Sequence, residues 1–191
     1  MSPRARAAVA QAWIRLRADD PAAVSALAVA RRSLAAGRGL AALQRFRLIE
    51  LSGSLPAREE LAELLHRSSQ FYNPNKEECR VRASAEEPAP LAPEEQAVLV
   101  SERGLERRSA AERWWSNVTG GPVEVREGVV WVLRFEEGVD AAAQAADLAV
   151  LRDRDHGLLC NPGAQEHRLS GAEVPLPWLT PVRARPRRRA P

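Results

Sequence analysis

The chain has 191 residues, 45% of them hydrophobic and 28% charged, with a formal net charge of +3. That length suits one medium domain or two small ones, and the composition is rich enough in apolar residues to pack cores. Two cysteines without CxxC or Cys/His spacing argue against a disulfide framework or a zinc site. No apolar signal core and no run of roughly 18 apolar residues is present, so the expectation is a cytoplasmic protein with no membrane span.

The predicted elements follow in chain order. Residues 2–10 are Ala/Arg-rich and expected to fray. AWIRLR, with Trp13, Ile14 and Leu16, reads as a short strand. Asp20 before Pro21 is a helix start, and the helix carries Val24, Leu27, Val29 and Leu34 on one side and stops at Gly37. LQRFRLIELSG is β-compatible and ends at Gly53. A second helix opens at Ser54 to Ala57, with Glu59 and Glu60 in its first turn and Leu61, Leu64 and Leu65 as its apolar face. The FYNPNKE loop and the strand CRVR close this first unit. Residues 84–93 carry three prolines and no periodicity, which argues for a linker without a core element.

The same order then returns. QAVLVSERG is a strand, and a helix with Leu105, Trp114, Trp115 and Val118 runs to Gly120-Gly121-Pro122. VEVREGVVWVLRFEEG reads as a hairpin turning near Glu127 and Gly128, or as one long bent strand. A helix capped by Asp140, the LLCNPGAQE loop and the strand EHRLSG complete the second unit. The end of the chain is Pro-rich and basic, with Arg183, Arg185, Arg187, Arg188 and Arg189. Such a tail reads as a solvated, mobile end or as a nucleic-acid contact, and Trp178 as a residue that packs back on the body.

The halves match in detail as well as in order. Each has an apolar strand ending at glycine (Gly53, Gly138), a helix, an Asn-Pro pair (Asn73-Pro74, Asn161-Pro162), acidic residues and a strand. Proline keeps its preceding residue out of the α region, so each pair stops a helix and aims the next strand. A sharper reading makes these loops contacts for a partner, with Tyr72 and Lys76 as exposed handles. The resulting expectation is an α+β protein of two tandem βαβ-type two-layer units, each a small antiparallel or mixed sheet under two helices. The units span 10–83 and 94–171, with a linker at 84–93 and a tail at 172–191.

WIRLRADDP, the helix through Leu34, RFRLIEL, REELAELLHR and FYNPNKEECRV together resemble the PurS family, the small subunit of phosphoribosylformylglycinamidine synthase. The resemblance covers residues 11–83, and a more divergent copy with VLRFEE and LLCNP covers about 96–170. A usual family member is one such unit that dimerises, so the resemblance implies a covalent pseudo-dimer, with a homodimer as a further option. It also implies a non-catalytic accessory subunit of an ATP-dependent glutamine amidotransferase in purine biosynthesis. Its partners would be the synthetase and glutaminase subunits.

Chemistry of the chain's own is not indicated by the sequence. No GxGxxG, P-loop, HExxH or GxSxG motif occurs. His156, next to Asp153 and Asp155, reads as a helix-end histidine, and Cys79 and Cys160 as small buried side chains. No catalytic, cofactor-binding or metal residue is therefore assigned. The candidate partner interface is Tyr72, Asn73, Lys76, Asn161 and Trp115, a tryptophan being included because aromatic residues are enriched at binding surfaces. Two alternatives remain open: a nucleic-acid-binding module acting through the basic tail, and an ACT-like regulatory protein binding a small ligand between its units.

Overall fold

The computed structural model describes residues 8–104 and 107–179. Its strands are β1 (Ala8–Leu16), β2 (Leu40–Gly53), β3 (Glu77–Arg82), β4 (Gln96–Glu102), β5 (Val123–Phe135) and β6 (Gln165–Ser170). Its helices are α1 (Pro21–Ser33), α2 (Arg58–Ser68), α3 (Ser109–Thr119) and α4 (Ala141–Ala149). The expectations for residues 2–7, for Leu105 and for the basic stretch from Arg183 to Arg189 lie outside the described residues.

Local signals set the helix ends. Asp20 Oδ1 accepts from the Ala22 N–H at 2.8 Å, and Pro21 occupies the first helical position. Asp140 does the same for Ala143 at 3.0 Å. α3 stops at Gly120, whose φ of 70° is the left-handed C-terminal cap that glycine adopts without a Cβ clash. Of the stripe expected on α1, Leu34 is buried and Leu27 packs on the core, but the two valines turn outward. Ala23 and Ala30 are buried, while Val24 and Val29 are 55% and 37% exposed. Small side chains let this helix lie close to its neighbours, and proximity outweighs the larger apolar area of the valines.

All four helices cover one face of a single sheet, and the linker and the C-terminal segment cover the other. The strand order is β3-β1-β2-β5-β4-β6, antiparallel throughout. The two sheets expected from the sequence are thus joined into one. β2 and β5 pair from Leu40/Phe135 to Gly53/Val123, with Arg47 opposite Val129. β5 runs straight through Glu127 and Gly128, so the long-strand reading holds and the turn does not form. Gly128 serves close approach instead, because a Cβ there would lie 2.9 Å from Leu179 Cδ2 and 3.0 Å from Leu99 Cδ1.

Strand alternation divides the core between the two faces. Under α2 and α3 lie Ala12, Ile14, Ile49, Leu51, Val123 and Val125. Under α1 and α4 lie Leu43, Val98, Val100 and Leu133. The opposite face presents Trp13, Phe46, Leu48, Leu99, Val130 and Val132, and is covered by Ala89 and Leu91 of the linker and by Val174, Trp178 and Leu179 of the C-terminal segment. The linker was expected to carry no core element, yet Ala89 is buried. Trp178 and Leu179 are each 3% exposed, so the packing expected of Trp178 is present. The physical reason is the sheet's second apolar face, which no helix reaches.

A buried polar cluster fixes that cover. Gln11, Glu50 and Arg82 are 0%, 1% and 6% exposed. Glu50 Oε2 accepts from the backbone N–H of Trp178 at 2.6 Å and Leu179 at 3.1 Å, and from Gln11 Nε2 at 3.1 Å. Arg82 donates to the carbonyls of Val174 at 2.9 Å and Glu87 at 2.6 Å, joining C-terminal segment and linker. Gln11 Oε1 accepts from Trp13 Nε1 at 3.3 Å. No described helix is long and apolar enough to cross a membrane.

Replacing Glu50 by Ala strands two buried amide donors, so we expect a loss of about 2–4 kcal/mol in denaturant unfolding. Hydrogen exchange at the Trp178 and Leu179 amides should accelerate before global unfolding. Unchanged protection at these two amides would show that the carboxylate does not hold the segment.

Candidate functional site

The two Asn-Pro turns are built by the same bonds. The Asn73 side chain accepts from the Asn75 N–H at 3.0 Å, and its carbonyl accepts from Lys76 and Glu77 at 3.0 and 2.8 Å. The Glu77 carboxylate reaches back to the Asn73 N–H at 2.7 Å. In the second turn Asn161 accepts from Gly163 at 2.9 Å, its carbonyl from Ala164 and Gln165 at 3.2 and 2.8 Å, and Gln165 reaches back to Asn161 at 2.9 Å. Each turn is an Asx turn closed by a reciprocal side-chain bond.

An arginine that the sequence reading passed over holds each turn to its sheet. The Arg17 N–H donates to Lys76 C=O at 2.9 Å, and its Nε to Pro74 C=O at 3.3 Å. The Arg103 N–H donates to Ala164 C=O at 3.0 Å, and its Nη2 to Pro162 C=O at 3.2 Å. Both arginines follow a strand, the same place in the two halves of the sequence. That alignment was the available signal.

The five predicted interface residues do not form one patch. β3 begins beside the C-terminal end of β1, and β6 beside that of β4. In the antiparallel order those ends point in opposite directions, so Asn73 and Asn161 sit at opposite corners of the sheet. Asn73, Lys76 and Asn161 are exposed, as an interface requires. Tyr72 is half-buried, and its hydroxyl lies 3.0 Å from His66 Nδ1. Trp115 must be removed from the set. It is fully buried and stacked on Phe71 with ring centroids 6.0 Å apart, while its neighbour Trp114 is only partly buried. The helical period turns Trp115 and Leu61 into the same core, and so Trp115 serves packing.

A concavity of about 700 Å³ lies along β3. It runs between Arg58 and Ala62 of α2 and Glu87 to Pro90 of the linker, with Arg80 and Val81 at its floor. The Cys79 thiol also lines it. Burial pushes this thiol up to about 12; the Arg47 guanidinium opposes that shift and the Glu77 charge adds to it. Burial likewise raises Cys160, against Arg103 and with Glu102. Both therefore stay protonated thiols near neutrality, weak as nucleophiles. His156 Nδ1 lies 2.9 Å from Asp153 Oδ1 on an exposed loop; α4 ends at Ala149, so the helix-end reading of His156 does not hold. Among the described residues, no three His, Cys, Asp or Glu side chains gather as a metal site.

Alkylation of native Cys79 by iodoacetamide at pH 8 should run about a thousandfold slower than that of the urea-unfolded chain, because the thiolate fraction falls with the raised pKa. A rate equal in both states would contradict its burial. Substituting Asn73 or Asn161 by Ala should each lower stability by about 1 kcal/mol. A loss at one turn only, in thermal unfolding of the two variants, would break their equivalence.

No protein-family model, no curated protein and no solved structure matches the chain.

Proposed function

We propose that the chain is a bridging subunit of phosphoribosylformylglycinamidine synthase, a covalent pseudo-dimer of two PurS-like units in one polypeptide. The observation that carries this reading is the repeated Asn-Pro turn, with the same reciprocal side-chain closure and the same arginine clamp in both halves. The β2–β5 ladder supports it further. The second strand of one half pairs with the second strand of the other, and β1 and β3 on one flank answer β4 and β6 on the other.

A bridge needs two contact regions that do not compete. Exposed Asn73 and Lys76 at one corner and Asn161 at the opposite corner supply two such regions on one rigid sheet. In this role the protein holds a synthetase subunit and a glutaminase subunit together, and its work is complementarity of surface. Its own side chains carry no reaction step. The glutaminase would release ammonia from glutamine, and the synthetase would use it with ATP.

Reconstitution with the synthetase and glutaminase subunits of the same organism tests the proposal. Omitting the chain should abolish glutamine-dependent formation of formylglycinamidine ribonucleotide and spare the ammonia-dependent reaction. Full glutamine-dependent activity without it, or co-purification only with nucleic-acid-binding proteins lost to nuclease and salt, would overturn the reading.

A further inference from the structure

We infer that the outer edge of β3 is a docking site for a single extended peptide segment in which apolar and acidic residues alternate. The inference is independent of the bridging role. It rests on the direction of the backbone groups, on the shape of the cleft and on charge.

Backbone direction comes first. The Arg17 N–H bond to Lys76 C=O makes 17/76 a hydrogen-bonded pair, so Glu78, Arg80 and Arg82 turn their backbone groups toward β1. Cys79, Val81 and Ala83 turn theirs outward. Two of these outward groups already hold side-chain surrogates. Val81 C=O accepts from Arg58 Nη2 at 3.4 Å, and the Ala83 N–H donates to the Glu87 carboxylate at 3.3 Å. β3 terminates the sheet, so no strand pairs with this edge. An unpaired edge of this kind is the template for strand addition.

Shape limits the occupant. α2 stands on one side of the edge and the linker on the other, leaving the cleft of about 700 Å³ between them. Such a slot takes one strand. Successive side chains of an added strand point to alternate faces. Those opposite Val81 meet its side chain and Ala62 on the helix side. Those opposite Arg80 meet the linker side, where Pro88 and Pro90 form the wall.

Charge selects the sequence. Arg80 is exposed and has no ion pair among the described residues, and the ion pair of Arg58 with Glu87, at 3.2 Å, is partly exposed. A carboxylate opposite Arg80 would meet its guanidinium, and the next positions on that face lie opposite Glu78, which Arg15 already pairs, and the buried Arg82. The chain's own ends are poor occupants, since Arg4, Arg6 and the arginines from 183 to 189 would bring like charge to the slot.

The test uses fluorophore-labelled, end-blocked hexapeptides that alternate valine with glutamate or valine with lysine, titrated into the full chain at low salt. The glutamate peptide should bind about tenfold more tightly than the lysine peptide, and amide signals of Cys79 and Val81 should shift. Val81→Pro removes an outward N–H without breaking the β1–β3 ladder, and should abolish binding. Arg80→Glu should reverse the preference toward the lysine peptide, which decides the matter if Val81→Pro does not fold. Equal affinity for both peptides, no binding of either, or binding unaffected in both variants would overturn the proposal. So would peptide-independent dimerisation lost in Val81→Pro, which would assign the edge to a second copy of the chain.

Discussion

The buried carboxylate of Glu50 is the interaction on which the remainder of the fold rests. A charge taken out of water is tolerated only when donors surround it. Here the donors are two successive backbone amides, Trp178 and Leu179, and the Gln11 amide. The carboxylate therefore specifies where the C-terminal segment lies, and the segment in turn covers Phe46, Leu48 and Val130. Without that cover the sheet would expose an apolar face opposite its helices, the sort of surface that invites association. Arg82 extends the same logic to the linker, since one guanidinium holds carbonyls from both segments.

The second constraint is the β2–β5 ladder. Each half contributes its longest strand to it, and the remaining strands line up outward on either flank. A unit of roughly 80 residues buries a modest fraction of its surface alone, and a shared sheet raises that fraction. Gly53 shows how tight the junction is. Its φ is 126°, and a Cβ there would sit 2.2 Å from Pro122 O, so both halves meet at a position open only to glycine.

Much of this was legible in the residues. Asp20-Pro21 and Asp140 announced helix starts that the structure contains, and the alternation in RFRLIEL announced β2. The Asn-Pro repeat announced both turns at their correct positions. What escaped was decided by tertiary packing. Periodicity ranked Val24 and Val29 above Ala23 and Ala30, because it weighs apolar area and not closeness of approach. The prolines of residues 84–93 hid a segment whose Ala89 is buried, since a chain can cover a face without any regular element. Trp114 and Trp115 could not be ranked from sequence, because their exposure depends on which side of α3 meets the sheet. Gln11 and Glu50 stood in alternation with Trp13 and Leu48, and a polar residue in an apolar row was the one clue to the buried cluster.

The contact between Glu50 and the C-terminal segment also sets an order of events during synthesis. Its partners are separated by 128 and 129 positions in the chain. A ribosome adds roughly 5–20 residues each second. For several seconds after β2 has emerged, Glu50 has no Trp178 to bind, and the face bearing Trp13 and Phe46 has no lid. The nascent first half must pass through that interval with an open apolar surface, until the segment carrying Val174, Trp178 and Leu179 is made and covers it.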